Sequence, residues 1–155
     1  MARNNLALSK TFRPARIPRE ELISRAEVAL ENMREEFVEW IEEEIDDLTT
    51  ALAEWCKTPT DPAAVSELFR RAHDLKGQAT TLGYPIVGRI AASLCELLSI
   101  DGLDWQEITS LTTSHVNAVR AAVRDEIRDE TNQTAGALAT GLETAVADIQ
   151  ASGAS

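Results

Sequence analysis

Little in this chain suits a strand-built or stapled fold. Seven glycines, five prolines and 5% aromatics among 155 residues are too few turn formers and sheet formers for a sandwich of short strands. Two cysteines, Cys56 and Cys95, make no disulfide framework and fit a reducing cytosol. No apolar run approaches the 18 or more residues of a membrane-spanning helix, and no secretory apolar segment stands near the N-terminus. No Cys/His spacing makes a zinc site. The Glu-x-x-His pairs of a di-iron bundle are missing too, because Arg70 and Thr112 stand three residues before His73 and His115. No metal is therefore expected. No Gly-rich phosphate loop follows a strand pattern, so ATP-dependent autophosphorylation is not expected either. Positive charge is also scarce: 15 basic residues face 26 acidic ones, for a net charge of −11. An acidic body repels phosphate backbones, which disfavours nucleic-acid binding.

What is present is helical periodicity. Hydrophobic residues make up 44% of the chain, ordinary for a soluble globular protein. The first 18 residues are basic and carry no acid, and are expected to be a flexible tail. From about residue 19 to 56 the set Ile23, Ala26, Leu30, Met33, Phe37, Ile41, Leu48, Leu52 and Trp55 falls at spacings of three, four or seven, predicting one long amphipathic helix. Its other face holds 13 acids and two arginines between Glu20 and Glu54, a solvated surface. Pro59 ends it; Asp61 is placed to cap a second helix with Pro62 in its first turn, running to about Leu82 and stopping at Gly83. Pro85 opens a third helix with Val87, Ile90, Ala91, Leu94 and Leu98 inward, and Asp101-Gly102 is a turn. Asp104 with Glu107 opens a fourth through about Asp129, its stripe including Ile108, Leu111, His115, Ala118 and Ala122. Leu138, Leu142, Val146 and Ile149 suggest a weaker C-terminal helix. Short connections favour antiparallel neighbours. The expected fold is all-α: an antiparallel up-down four-helix bundle over residues 19–131, with an extended N-terminal helix and an additional C-terminal helix and tail over 132–155.

Within the second helix, Val65, Leu68, Phe69, Ala72, Ala79 and Leu82 define the buried side. His73 lies off that arc, on a strip with Ser66, Arg70, Gly77 and Thr80, and should be exposed in mid-helix. Gly77 is the anomaly, since glycine inside a helix costs about 0.5–1 kcal/mol relative to alanine. One turn from His73 it clears space beside the ring, through which another macromolecule could bring a reactive group. Lys76 adds a mobile cation suited to phosphate. An exposed neutral imidazole offers a nitrogen lone pair as nucleophile. Together these residues can carry a phosphoryl group.

Ala72-His73-Asp74-Leu75-Lys76-Gly77, then Gly83, then Ser93-Leu94-Cys95-Glu96-Leu97-Leu98, resembles a histidine-containing phosphotransfer (HPt) domain. The family pattern is Ala-His-x-Leu-Lys-Gly, a further glycine six residues on, and a Leu-Cys-x-x-Leu-like helix. With Tyr84-Pro85 the likeness is to the single-domain HPt proteins of alphaproteobacteria. It is closest over roughly residues 60–100, extends over about 35–130, and does not reach the ends. The resemblance implies that His73 is the phosphoacceptor, with Nε2 the usual nitrogen, and that Lys76 steadies the phosphoryl oxygens. Gly77, Arg70, Asp74 and Thr80 would then line the surface a partner docks on. Implied partners are response-regulator receiver domains and a hybrid sensor histidine kinase in a multistep bacterial phosphorelay. The receiver would bring the aspartyl phosphate and Mg²⁺, so the chain needs no cofactor and acts as a cytoplasmic phosphocarrier rather than an enzyme. His73-Asp74-Leu75-Lys76 also resembles the phosphoacceptor helix of sensor kinases, but Gly77-Gln78 stands where those continue Thr-Pro.

Other readings accompany these. His115 lies on an apolar stripe and is expected to be a hydrogen-bonded core or boundary residue. Arg70 and Arg71 either steer an acidic partner or offset local acid, and Arg89 is a candidate border residue of the site. Trp40, Trp55 and Trp105 fill core or boundary volume. A monomer is expected, with a dimer through the long N-terminal helix as the other state the sequence allows. The alternatives are a non-catalytic adaptor that dimerises through the long acidic helix, with His73 incidental, and a dimeric kinase-like phosphotransferase lacking ATP binding.

Overall fold

The computed structural model describes residues 16–128 and 131–153, and among them every regular element is helical. Five helices follow in order: α1 Arg19–Lys57, α2 Pro62–Thr81, α3 Pro85–Leu98, α4 Trp105–Arg124 and α5 Gln133–Gly153. The chain divides after Glu36 into two units. In the first, the described residues are Arg16–Pro18 and the opening turns of α1, whose Leu22, Ile23, Val28, Leu30 and Met33 are all exposed. The predicted stripe of α1 is therefore buried only in its later part. The expected basic tail lies, apart from Arg16–Pro18, outside the described residues.

The second unit holds the core. The later part of α1 contributes Ile41, Ile45, Leu48, Leu52 and Trp55, at the spacing that puts apolar side chains on one helical face. The predicted helix starts are made as expected. Asp61 accepts a hydrogen bond from the Ala63 amide at 3.0 Å, with Pro62 in the first turn, and Asp104 accepts one from the Gln106 amide at 3.0 Å. These caps satisfy amides that have no partner inside the helix. At the end of α2, Gly83 adopts φ +92° and the Tyr84 amide donates back to the Ala79 carbonyl at 2.8 Å. That left-handed turn is why glycine stands there; it reverses the chain into α3.

Helix α3 packs against α2, α4 and α5. Its sequence suggests one inward face, yet Ile86, Gly88, Ser93, Cys95 and Leu97 are buried along with the expected Val87, Ile90, Ala91 and Leu94, while the expected Leu98 is only half-buried. Three neighbours on one short helix leave almost no solvated side. Two expectations need correction. Helix α4 stops at Arg124 rather than near Asp129: the Asp125 amide bonds the Ala121 carbonyl, Glu126 takes φ +52°, and the Ile127 amide returns to the Ala122 carbonyl at 2.8 Å. The chain then reaches the start of α3, where the Ile86 amide donates to the Arg128 carbonyl at 3.2 Å. Helix α5 buries Ala135, Ala139, Leu142 and Val146, while Leu138 is 45% exposed. The alanines, lacking bulk, define the packed face in place of Leu138.

Among the described residues no helix is long and apolar enough to cross a membrane.

Candidate functional site

Helix α2 buries Leu68, Ala72, Leu75 and Ala79 completely, which fixes its rotation about its own axis. That rotation leaves Ser66, Arg70, His73, Gly77 and Thr80 exposed together. The strip anticipated from periodicity is thus one continuous surface on a helix held from below.

His73 lies against the Phe69 ring one turn earlier, with centroids 5.9 Å apart and planes inclined by 27°. Among the described residues it makes no hydrogen bond or ion pair. The stacking restrains the ring while leaving both nitrogens without a protein partner. Lys76 likewise forms no ion pair among the described residues and lines, with His73 and Phe69, a cleft of about 580 Å³. The floor and rim of this cleft come from Ala92, Cys95, Glu96 and Ser99 on and beside α3, and from Gln150 and Gly153 at the end of α5. Burial raises the pKa of the Cys95 thiol; the nearby Lys76 charge opposes the shift and Glu96 adds to it. Cys95 is therefore a neutral packing group beneath the site.

On the other flank the charges are neutralised among themselves. Arg70 holds Glu67 through Nε at 3.1 Å and Nη2 at 2.9 Å, with Asp74 at 3.8 Å. Arg71 reaches Glu67 at 2.9 Å and Asp47 on α1 at 3.0 Å. The hydrogen bonds from Arg71 and then Arg70 hold the Glu67 carboxyl below the usual range. Both arginines are thus paired with acidic neighbours. Arg89 bonds Glu143 at 3.0 Å and Thr140 at 3.0 Å, so it ties α3 to α5.

Two glycines serve opposite ends. A Cβ on Gly77 would meet nothing within 4 Å, leaving open space beside His73. A Cβ on Gly88 would collide with Thr80 Oγ1 and sit 3.4 Å from the Lys76 carbonyl. Gly88 thus lets α3 approach the stretch of α2 that carries Lys76 and Thr80, and Thr80, though exposed, turns its hydroxyl toward that contact. Gly88, Phe69 and Gln150 were not anticipated as site residues. The i, i+4 spacing of Phe69 and His73 is a signal that sequence offers; the contribution of Gln150 depends on how α5 packs and has none.

The second histidine is fully buried. His115 Nδ1 is 2.7 Å from the Leu111 carbonyl, which can only accept, so Nδ1 carries the proton. Nε2 then accepts from the Ser93 hydroxyl at 2.9 Å. Burial lowers the pKa of the ring, partly opposed by the Leu111 bond. It is the hydrogen-bonded core residue expected from its stripe.

A family model described as Hpt domain matches residues 32–151. No curated protein and no solved structure gives a significant match.

Proposed function

Because the chain belongs to the Hpt domain family, we propose that His73 carries a phosphoryl group between receiver-domain aspartates in a multistep phosphorelay. The family's role is histidine phosphotransfer in two-component phosphorelays, in contact with receiver domains and histidine kinases, as phosphocarriers rather than kinases. The observation that carries the assignment to His73 is its exposed, unbonded imidazole on a rigid helix, beside Lys76 and the open position at Gly77.

In this reading an Nε2 lone pair attacks the phosphorus of an aspartyl phosphate. The N–P bond forms as the P–O bond to the aspartate breaks and the carboxylate departs; the reverse step passes the group on. Such transfers run through a loose transition state, so catalysis is mostly positioning and charge neutralisation. Phe69 positions the ring, and Lys76 meets the phosphoryl oxygens as a point charge. Gly77 leaves room for the receiver's reactive aspartate. The receiver brings Mg²⁺, and this chain brings the nucleophile. Arg70, Asp74 and Thr80 border the docking surface. The free Cys56 and Cys95 suit a cytoplasmic setting.

The test mixes the full chain with receiver domains labelled at their aspartyl phosphate and maps the modified residue. Acid-labile phosphate on His73, lost in His73→Gln with helical content unchanged, is the expected result. Wild-type labelling of that variant would end the proposal.

A further inference from the structure

Seven large hydrophobic side chains stay exposed among the described residues, and five of them, Leu22, Ile23, Val28, Leu30 and Met33, fall within one twelve-residue stretch of α1. Four of these five repeat with two alanines at an interval of seven: Leu22 with Ala29, Ile23 with Leu30, and Ala26 with Met33. A seven-residue apolar repeat on a helix is the pattern that keeps a stripe facing a neighbouring helix. Val28 lies off the stripe. The family match begins at residue 32, so most of this surface belongs to a part of the chain that the shared domain does not include.

Charge selects the occupant. Residues 19–36 carry three arginines and six glutamates, a net negative segment that an anionic lipid surface would repel. Glu27 and Arg34 flank the stripe on one side, Arg25 and Glu36 on the other. A second copy running antiparallel sets Glu27 against Arg34 of the other copy and Arg25 against Glu36 of the other copy, all in one register centred between residues 30 and 31. A parallel copy would instead place Glu27 beside Leu22 and Arg34 beside Ala29, with no opposite charges matched. The pairs that Arg25 and Arg34 now make, to Glu21 at 2.9 Å and Glu31 at 3.5 Å, are exposed and within the helix; such pairs contribute little and exchange readily.

We propose that residues 25–36 of α1 pair antiparallel with the same residues of a second copy of this chain, with Leu30 and Met33 at the centre of the seam. The seam spans fewer than two heptads, so the dimer is expected to be weak and to form only as concentration rises. It uses none of the residues around His73, and phosphoryl acceptance does not depend on it.

Sedimentation equilibrium of the full chain at low salt tests this. The mass should rise with concentration from 17.0 kDa toward twice that value. Leu30→Glu combined with Met33→Glu should hold it at 17.0 kDa with helical content retained. Glu27→Arg should weaken the dimer about tenfold, and adding Arg34→Glu should restore it to within about threefold. A mass constant at the monomer value overturns the proposal, as does a dimer that survives the Leu30 and Met33 changes. A monomer that instead floats with lipid vesicles also overturns it. Failure of the charge exchange to restore association would overturn the antiparallel register.

Discussion

His115 on α4 has both ring nitrogens occupied, one by the Leu111 carbonyl and one by the Ser93 hydroxyl of α3, whereas His73 on α2 stacks on the Phe69 ring and makes no hydrogen bond among the described residues. Both rings are set in helices of 20 residues, and both have an apolar side chain one turn earlier. The difference is the direction each faces. Inside the bundle, a polar ring must have its hydrogen bonds satisfied, and the partners that satisfy it consume the lone pair that chemistry would need. On the surface, the same ring stacked on an aromatic is restrained without that loss. An available nucleophile is thus a matter of what the neighbours leave unbonded.

Exchanging the fates of the two rings is the strongest way to break this contrast. His73→Gln should lose all labelling from a phosphorylated receiver yet melt as wild type does. His115→Ala should keep labelling while losing about 2–4 kcal/mol of stability, because it opens a cavity and strands the Ser93 hydroxyl. Chemical denaturation and acid-labile phosphate read the two effects separately. A folded His115 variant that accepts no phosphate would erase the distinction.

Lys76 sharpens it at the next scale. Lys76→Ala should slow transfer about tenfold, roughly 1.4 kcal/mol of transition-state stabilisation, in single-turnover kinetics, leaving His73 still modified. An unchanged rate would remove the ammonium from the mechanism.

The two glycines extend the contrast to the backbone. Gly88→Ala should cost about 1 kcal/mol through its collision with Thr80 Oγ1, and Thr80→Ala in the same chain should recover most of it. Gly77→Ala, entering open space, should gain about 0.5–1 kcal/mol from helix propensity. Gly77→Arg should weaken receiver docking while leaving the melting temperature near wild type. Calorimetry that finds Gly77→Ala as costly as Gly88→Ala would show the space beside His73 to be filled.

The smallest effect is a pH dependence. Burial depresses the His115 pKa in the folded state, so the unfolded ring takes up its proton first as pH falls. Its contribution to stability is complete above the ordinary imidazole value of about 6.5 and declines as pH drops through that value toward the folded one. Melting temperatures between about pH 5 and 8 should fall less steeply for His115→Asn than for wild type over the acid half of that range. Parallel curves would mean that the buried ring does not stay neutral.

Much of this molecule is legible along the chain because its signals are local. Asp61-Pro62, Gly83 and Asp104 act within three residues of themselves, so the helix boundaries they mark are those found, and α2's apolar spacing leaves His73 outward. The misread stretches are those with competing contacts. Helix α4 stops early where the Ile127 amide closes back on the Ala122 carbonyl and the Arg128 carbonyl accepts from the Ile86 amide at the start of α3. In α5 the alanines rather than Leu138 pack, since closeness to α3 and α4 outweighs side-chain size.

Residue order alone decided that the chain would be helical, where most helices begin, and that an imidazole, an ammonium and a missing side chain would share one exposed strip. Those outcomes depend on the 3.6-residue turn and on caps that reach only a few positions. The tertiary structure decided the rest: the close approach at Gly88, the Ser93–His115 bond 22 residues apart, and the cleft wall that Gln150 supplies from α5. Each of these requires knowing which helix lies against which, and a period repeated along one helix carries no record of its neighbours.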